Sequence, residues 1–143
     1  MKPTQSLKFI HIGDVHIGKE RMGGDLPSRD FSEAFDQVVD AAVREKVSFV
    51  LIAGDFFDKA RIEPNHLAEG EVGLRRLASA GIPVIATEGN HDVLSSYDDR
   101  PSWLTYLNSA GLVRLVRTDF NAGQPDMKEW TDSDRRGNWL DLG

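Results

Sequence analysis

Three short polar segments of this chain carry residue types that can do chemistry together. Asp14 and His16 stand two positions apart, Asp55 follows a glycine, and Asn90, His91 and Asp92 run consecutively. Carboxylate oxygens, an imidazole and an amide oxygen form the mixed donor set that hard and borderline divalent metals accept. Brought together without a cation, such groups would repel one another or go unsatisfied. With two ions a few ångströms apart they could bridge a phosphate, polarise its phosphorus and supply a nucleophile at neutral pH. Asp55, between the other two positions, is the natural bridge. The chain contains no cysteine, so thiolate ligands and disulfides are unavailable and any metal must be held by Asp, His, Asn or Glu.

The elements that must position these side chains can be read from apolar spacing. From 7 to 12 the run LKFIHI reads as a strand ending at Gly13-Asp14. The run VSFVLIAGD, ending at Asp55, has almost no alternation, as expected of a strand buried on both faces. PVIATEGNHD supplies a third strand ahead of Asn90. Between them, after a polar loop through Met22, Gly23 and Gly24, the positions Phe31, Phe35, Val38, Val39 and Ala42 recur at helical spacing, with Asp30 and Glu33 spaced as a capping box. Leu67, Leu74, Leu77 and Ala78 define a second helix, entered after Pro64-Asn65 and stopped by Gly81 and Pro83. Trp103, Leu104, Leu107 and Ala110 suggest a third helix stopped by Gly111, and LVRLV a fourth strand. Residues 119–136 read as loop, and NWLDL alternates like the start of another strand.

Strand alternating with helix implies an α/β architecture with parallel pairing and right-handed crossovers. The three motif positions are 41 and 35 residues apart in turn, each interval long enough for one βαβ unit of about 30 residues. Neighbouring parallel strands would then deliver all three motifs to one carboxyl edge, where open α/β sheets bind ligands.

Each motif alone has a plainer reading. Asp and His cap helices and bind backbone groups, Gly-Asp forms turns, and Asn tolerates the left-handed conformation. Order, spacing and common position favour the joint reading. His11, mid-strand, and His66, at a helix start, are read as structural or exposed rather than as ligands. Asp58 can either approach the metals or start the following turn, and Arg100 can either meet a phosphate or pair with Asp98 or Asp99. The Trp and Phe residues fall mostly on apolar faces and are read as core.

Composition bounds the partners. With 143 residues, 40% hydrophobic and 28% charged, the chain has the size and make-up of one globular domain, and a cytoplasmic location is the default expectation in the absence of a signal-peptide pattern. Its net charge of -6 and pI near 5.1 lack the basic stripe of an autonomous nucleic-acid binder. An acidic metal cluster neutralised by cations would keep a phosphate-containing substrate admissible.

The segments DVHIG, GDFFD and GNHD resemble the first three motifs of the calcineurin-like metallophosphoesterase superfamily, over about residues 7–92. FIHIGDVHIGKE and VLIAGDFFDKARIEP further resemble its nuclease branch, bacterial SbcD and the archaeal and eukaryotic double-strand-break repair counterparts. The resemblance implies an αββα sandwich, of which this chain supplies the N-terminal half. It also implies that Asp14 and His16 hold one metal, Asp55 bridges both and Asn90 holds the second. His91 would contact the phosphate or protonate the leaving oxygen, with Asp92 orienting its imidazole. It implies two manganese-like ions (iron or zinc being alternatives), DNA phosphodiesters as substrate, and a partner ATPase of the ABC type with coiled coils. A homodimer is a further expectation, and no membrane is involved. Archaeal and eukaryotic members often carry His where this chain has Asp58, which leaves exonuclease behaviour open.

The family completes its site with later histidines, one alone and a pair in a G-H-x-H motif, whereas no His follows His91 here. The chain is therefore expected to be an N-terminal fragment, 1–143 being a partial metallophosphoesterase domain with its core at 7–117 and a loop plus the start of a further strand at 118–143. Two alternatives stand beside the DNA reading. One keeps the metals but takes nucleotides or other small phosphoesters; the other is an inactive metal- or partner-binding module.

Overall fold

Four parallel strands are joined by three helices in a computed structural model that describes residues 7–20, 29–93 and 101–142. Strands β1 (Phe9–Ile12), β2 (Phe49–Ala53), β3 (Val84–Thr87) and β4 (Arg114–Leu115) lie in the order β1-β2-β3-β4. Helices α1 (Asp30–Glu45), α2 (Pro64–Ser79) and α3 (Trp103–Ser109) make the crossovers. The expected α/β class with a parallel core is thus the observed one. Every crossover steps the same way across the sheet, and connections of one hand, right-handed by the general rule, then put the helices on one face.

That face holds the core. Val50, Ile52, Val84 and Ala86 point to it from the sheet, and Phe35, Val39, Leu74, Leu77, Leu104 and Leu107 meet them from the helices. On α1 the buried residues Phe35, Val39 and Ala42 stand at positions i, i+4 and i+7, one stripe of the helix. Where α2 crosses α1, Gly73 makes room: a Cβ there would stand 2.5 Å from Cε1 of Phe35. The opposite face is only partly covered. Phe49 stacks on Phe9 with ring centroids 4.8 Å apart, but Phe9 and His11 stay exposed and Leu51 is half-buried. The expectation of a strand buried on both faces therefore holds for one face of β2 and partly for the other.

Helix ends differ in two details from the sequence reading. The capping box at Asp30 and Glu33 does not form: α1 already includes Asp30, Arg29 is the cap residue, and no side chain closes the first turn. Both acids instead lie in that turn, where they complement the helix dipole. Pro64 opens α2 itself, at the position where its missing N–H costs nothing. Ser102 caps α3 by accepting the N–H of Thr105 at 3.2 Å.

The stretch read as loop contains an antiparallel hairpin, β5 (Asp119–Asn121) and β6 (Gln124–Asp126). Its two-residue turn has Ala122 at φ 49 and Gly123 at φ 78, as a tight hairpin of the right twist requires. Every residue of both strands is exposed, so no apolar alternation marks them. NWLDL forms no strand; it contributes a single bridge between Trp139 and Glu129. The loop through Met22, Gly23 and Gly24, and the surroundings of Arg100, lie outside the described residues.

Candidate metal centre

All three motifs reach the same edge because each follows directly on a strand and the strands are parallel and in register. Phe9 pairs with Phe49 and Val50 with Val84, so Gly13-Asp14, Gly54-Asp55 and Gly89-Asn90 emerge side by side. The loops are then stitched together. Asp14 N–H donates to the carbonyl of Gly54 at 3.3 Å, and His16 N–H to that of Asp55 at 3.0 Å. The N–H of His91 donates to Oδ1 of Asp55 at 2.9 Å.

Backbone strain is concentrated here. Asp14, His16 and Asp55 have φ of 52, 51 and 52, three of the six non-glycine residues with positive φ among the described residues. Such conformations cost of order 1 kcal/mol or more each and persist where the surroundings over-determine them, commonly at functional sites. Glycine at 89 has a related role. A Cβ on it would fall inside contact distance of Oδ1 of Asp55, so the third loop can close on the second only without a side chain.

Asp14, His16 and Asp55 each offer a ligand atom, all within 4.8 Å of one another, and a second such group is His16, Asp58 and His91. His16 belongs to both. Its Nε2 is 3.7 Å from Oδ1 of Asp14 and its Nδ1 is 3.2 Å from Oδ1 of Asp58. The latter approach is out of line for a hydrogen bond, and Nδ1 is left buried without a partner. The side chain of Asp14 is 80% exposed and that of His16 only 12%. An uncompensated buried nitrogen beside three carboxylates is costly alone and fits a bound cation. Asn90 is exposed at the head of the third loop, between two residues that are both bonded to Asp55 or Asp92.

Asp92 has a different place from the one expected. It is 4% exposed, and its carboxylate is taken up by backbone amides: Oδ2 accepts from Asp55 and from Gly89, both at 2.8 Å, and Oδ1 from Phe57 at 3.3 Å. Burial pushes its carboxyl above the ordinary carboxylate range, against the pull of those three hydrogen bonds, with the nearby charge of Asp55 adding to the rise. Asp92 thus joins the second and third loops. The partner of the His91 imidazole is Asp58, whose backbone carbonyl lies 2.6 Å from Nδ1. A carbonyl only accepts, so Nδ1 carries the proton there and Nε2 is the ring's free nitrogen. The rings of His16 and His91 meet edge to face at 4.9 Å.

Asp58, which the sequence left open, is accordingly part of the cluster, with its carboxylate against His16 and its carbonyl against His91. The only sequence signal for it was its spacing of three from Asp55. His11 is exposed on the outer sheet face, and His66 lies against Gly18.

A parallel α/β sheet that carries a carboxylate and imidazole cluster at its carboxyl edge defines an α/β protein with a candidate metal centre. The family model for calcineurin-like phosphoesterase matches residues 7–141, and the chain belongs to that family. Members are metal-dependent hydrolases of phosphoesters, in agreement with the cluster. Among curated proteins, the chain is similar to the DNA double-strand break repair protein Mre11 of Archaeoglobus fulgidus, 39% identical over 112 residues, covering 76% of this chain and 25% of that protein. It is also similar to the proteins of the same description from Aeropyrum pernix, 37% identical over 92 residues, covering 64% and 22%, and from Haloferax volcanii, 34% identical over 112 residues, covering 78% and 24%. The chain spans about a quarter of the length of these relatives. Among the described residues, no helix is long and apolar enough to cross a membrane.

Proposed function

We propose that this chain contributes the metal centre of a two-metal phosphodiesterase acting on DNA. The observation that carries the reading is the convergence of Asp14, His16 and Asp55 within 4.8 Å, contiguous through His16 with Asp58 and His91. In this reading Asp14 and His16 hold one ion, Asp55 is shared, and Asn90 serves the second. The similarity to double-strand break repair proteins favours DNA over other phosphoesters.

Divalent ions bound there would supply Lewis-acid polarisation of the phosphodiester. The rest of the chemistry falls to the chain. His91, with Nδ1–H held by the carbonyl of Asp58, presents Nε2 to a substrate oxygen, where it can hold a proton and pass it to the leaving group. Asp92 keeps the loops of β2 and β3 at a fixed separation through backbone amides, which sets where Asn90 and His91 stand relative to Asp55. Manganese is the favoured metal, and a coiled-coil ABC-type ATPase and a second copy of the chain are the favoured protein partners.

The test is Mn2+-dependent hydrolysis measured in parallel on linear duplex DNA, single-stranded DNA and small phosphoesters. Cleavage of DNA supports the reading. Turnover of small phosphoesters alone would replace DNA with a nucleotide or other small ester, a result that the net charge of -6 makes worth the comparison. Failure to bind any divalent metal would leave a partner-binding module.

A further inference from the structure

Beside the cluster, one ion-paired network has no place in the chemistry above. Glu88 is the residue immediately before the Gly89-Asn90-His91-Asp92 loop, and its carboxylate is fully engaged. Arg117 Nε donates to Oε2 at 2.6 Å, its Nη2 donates to Oε1, and the hydroxyl of Ser102 donates to the same Oε1. Nη2 of Arg117 also donates to Oγ1 of Thr105 at 2.8 Å. Glu88 and Ser102 are largely buried, with 15% of the Glu88 side chain and 9% of Ser102 exposed.

The pairing follows from sheet register. Ile85 pairs with Arg114 and Ala86 with Leu115, so continuing both parallel strands by the same number of residues brings Glu88 beside Arg117. Arg117 is anchored in turn by its N–H to the carbonyl of Gly137 at 2.9 Å, and Ser102 by its role as the cap of α3. A bidentate Arg–carboxylate pair fixes orientation as well as distance. It therefore fixes the peptide that leads into Gly89.

That peptide has little freedom to move without consequence. Gly89 donates its N–H to Asp92 at 2.8 Å and lies so close to Asp55 that no side chain fits between them. A small displacement of Glu88 would lift Gly89 from Asp55 and carry Asn90 and His91 with it.

We infer that Arg117 and Ser102, acting through Glu88, are positioning residues of the metal centre: they latch the Asn90–His91 turn into ligand geometry from outside the site. The inference rests on the metal-centre reading. It predicts that R117Q weakens Mn2+ binding about tenfold, as losses behind a ligand shell typically do, and that R117K recovers part of it because an ammonium can pair with Glu88 but cannot span both its oxygens.

The experiment titrates the full chain with Mn2+ by calorimetry and follows amide hydrogen exchange in wild type, R117Q, R117K and E88Q without metal. Faster exchange confined to residues 89–92 in R117Q and E88Q, with β2 amides unchanged, together with weaker Mn2+ binding partly restored in R117K, is the expected result. Unchanged exchange at 89–92, acceleration spread over the whole sheet, or Mn2+ affinity in a folded R117Q equal to wild type would overturn the latch. Absence of Mn2+ binding by the wild type would overturn the metal-centre reading instead, and the latch as a metal-site device with it.

Discussion

The carboxylate of Asp92 accepts the backbone N–H of Asp55 at 2.8 Å, joining two residues 37 positions apart in the chain. The same oxygen accepts Gly89 N–H, and the other accepts Phe57 N–H. One buried acid thus sets the spacing of two of the three loops that carry the candidate ligands, its carboxylate turned to backbone amides.

Asp92→Asn replaces one accepting oxygen by an NH2 group that points donors at donors. Leaving buried amides unpaired costs about 1–3 kcal/mol each. Thermal or urea unfolding of D92N should therefore show a loss of about 3 kcal/mol, and Asp92→Glu should not repair it, because the longer side chain misplaces both oxygens. A variant as stable as wild type would show that these three bonds do not hold the loops.

His91→Ala removes the group proposed to move a proton, while Asp14, His16 and Asp55 are untouched. Metal-dependent phosphodiester cleavage should fall about 10²- to 10⁴-fold, with Mn2+ affinity changed much less. Calorimetry alongside the rate measurement separates the two effects; a parallel collapse of metal binding would make His91 a ligand rather than a proton carrier.

Asp58→Ala separates the two functions of that residue. The backbone carbonyl that fixes His91 remains, but the carboxylate beside Nδ1 of His16 is lost. Mn2+ affinity should drop about tenfold or more while amide exchange in the 89–92 turn, whose His91 ring keeps its carbonyl partner, stays as in wild type. Faster exchange in that turn at unchanged affinity would reverse that assignment.

Gly73→Ala sets two effects against each other. Alanine is about 1 kcal/mol better than glycine in a helix interior. The added Cβ would nevertheless stand 2.5 Å from Cε1 of Phe35, itself packed on Phe56, and overpacking of this kind costs about 1–3 kcal/mol. A lower melting temperature is expected, measured by circular dichroism.

Acid sensitivity should carry two opposite signs. Tyr106 donates to Glu71 at 2.7 Å, and that bond, with Arg75, holds Glu71 below the usual carboxylate range. Its contribution is present above the unfolded value of about 4.5 and lost as pH falls through the lower folded value. Asp92, whose carboxyl is raised by burial, contributes in the other direction: its stabilisation is present at low pH and lost as pH rises through its raised folded value. Tyr106→Phe should remove part of the first dependence, so its stability deficit should shrink as the pH is lowered below that of Glu71 titration. Equilibrium unfolding at several pH values reads this directly; a deficit independent of pH would exclude the bond as its source.

Much of this molecule was legible before folding was considered. Residue type and spacing are local properties, and they placed the helices, the strands and the three motifs on one edge, since a period of apolar residues reports which side of an element is buried. Where that signal is missing, reading failed for a physical reason. Strands β5 and β6 are exposed on both sides and carry no period, and the capping box at Asp30 and Glu33 required a helix start one residue later than the backbone takes.

The sequence by itself determined three motifs rich in possible donors, their order, their delivery to a single sheet edge and the family membership. Only the tertiary structure decided which atom meets which. Asp92 adjoins His91 in sequence yet binds the amides of Asp55, Phe57 and Gly89, while the carbonyl of Asp58, 33 positions away, holds the imidazole. Glu88 and Arg117, 29 positions apart, meet only because β3 and β4 are in register. Hydrogen bonds are won by distance and direction, and in a parallel sheet those are set by the register of strands, which no single segment of the chain contains.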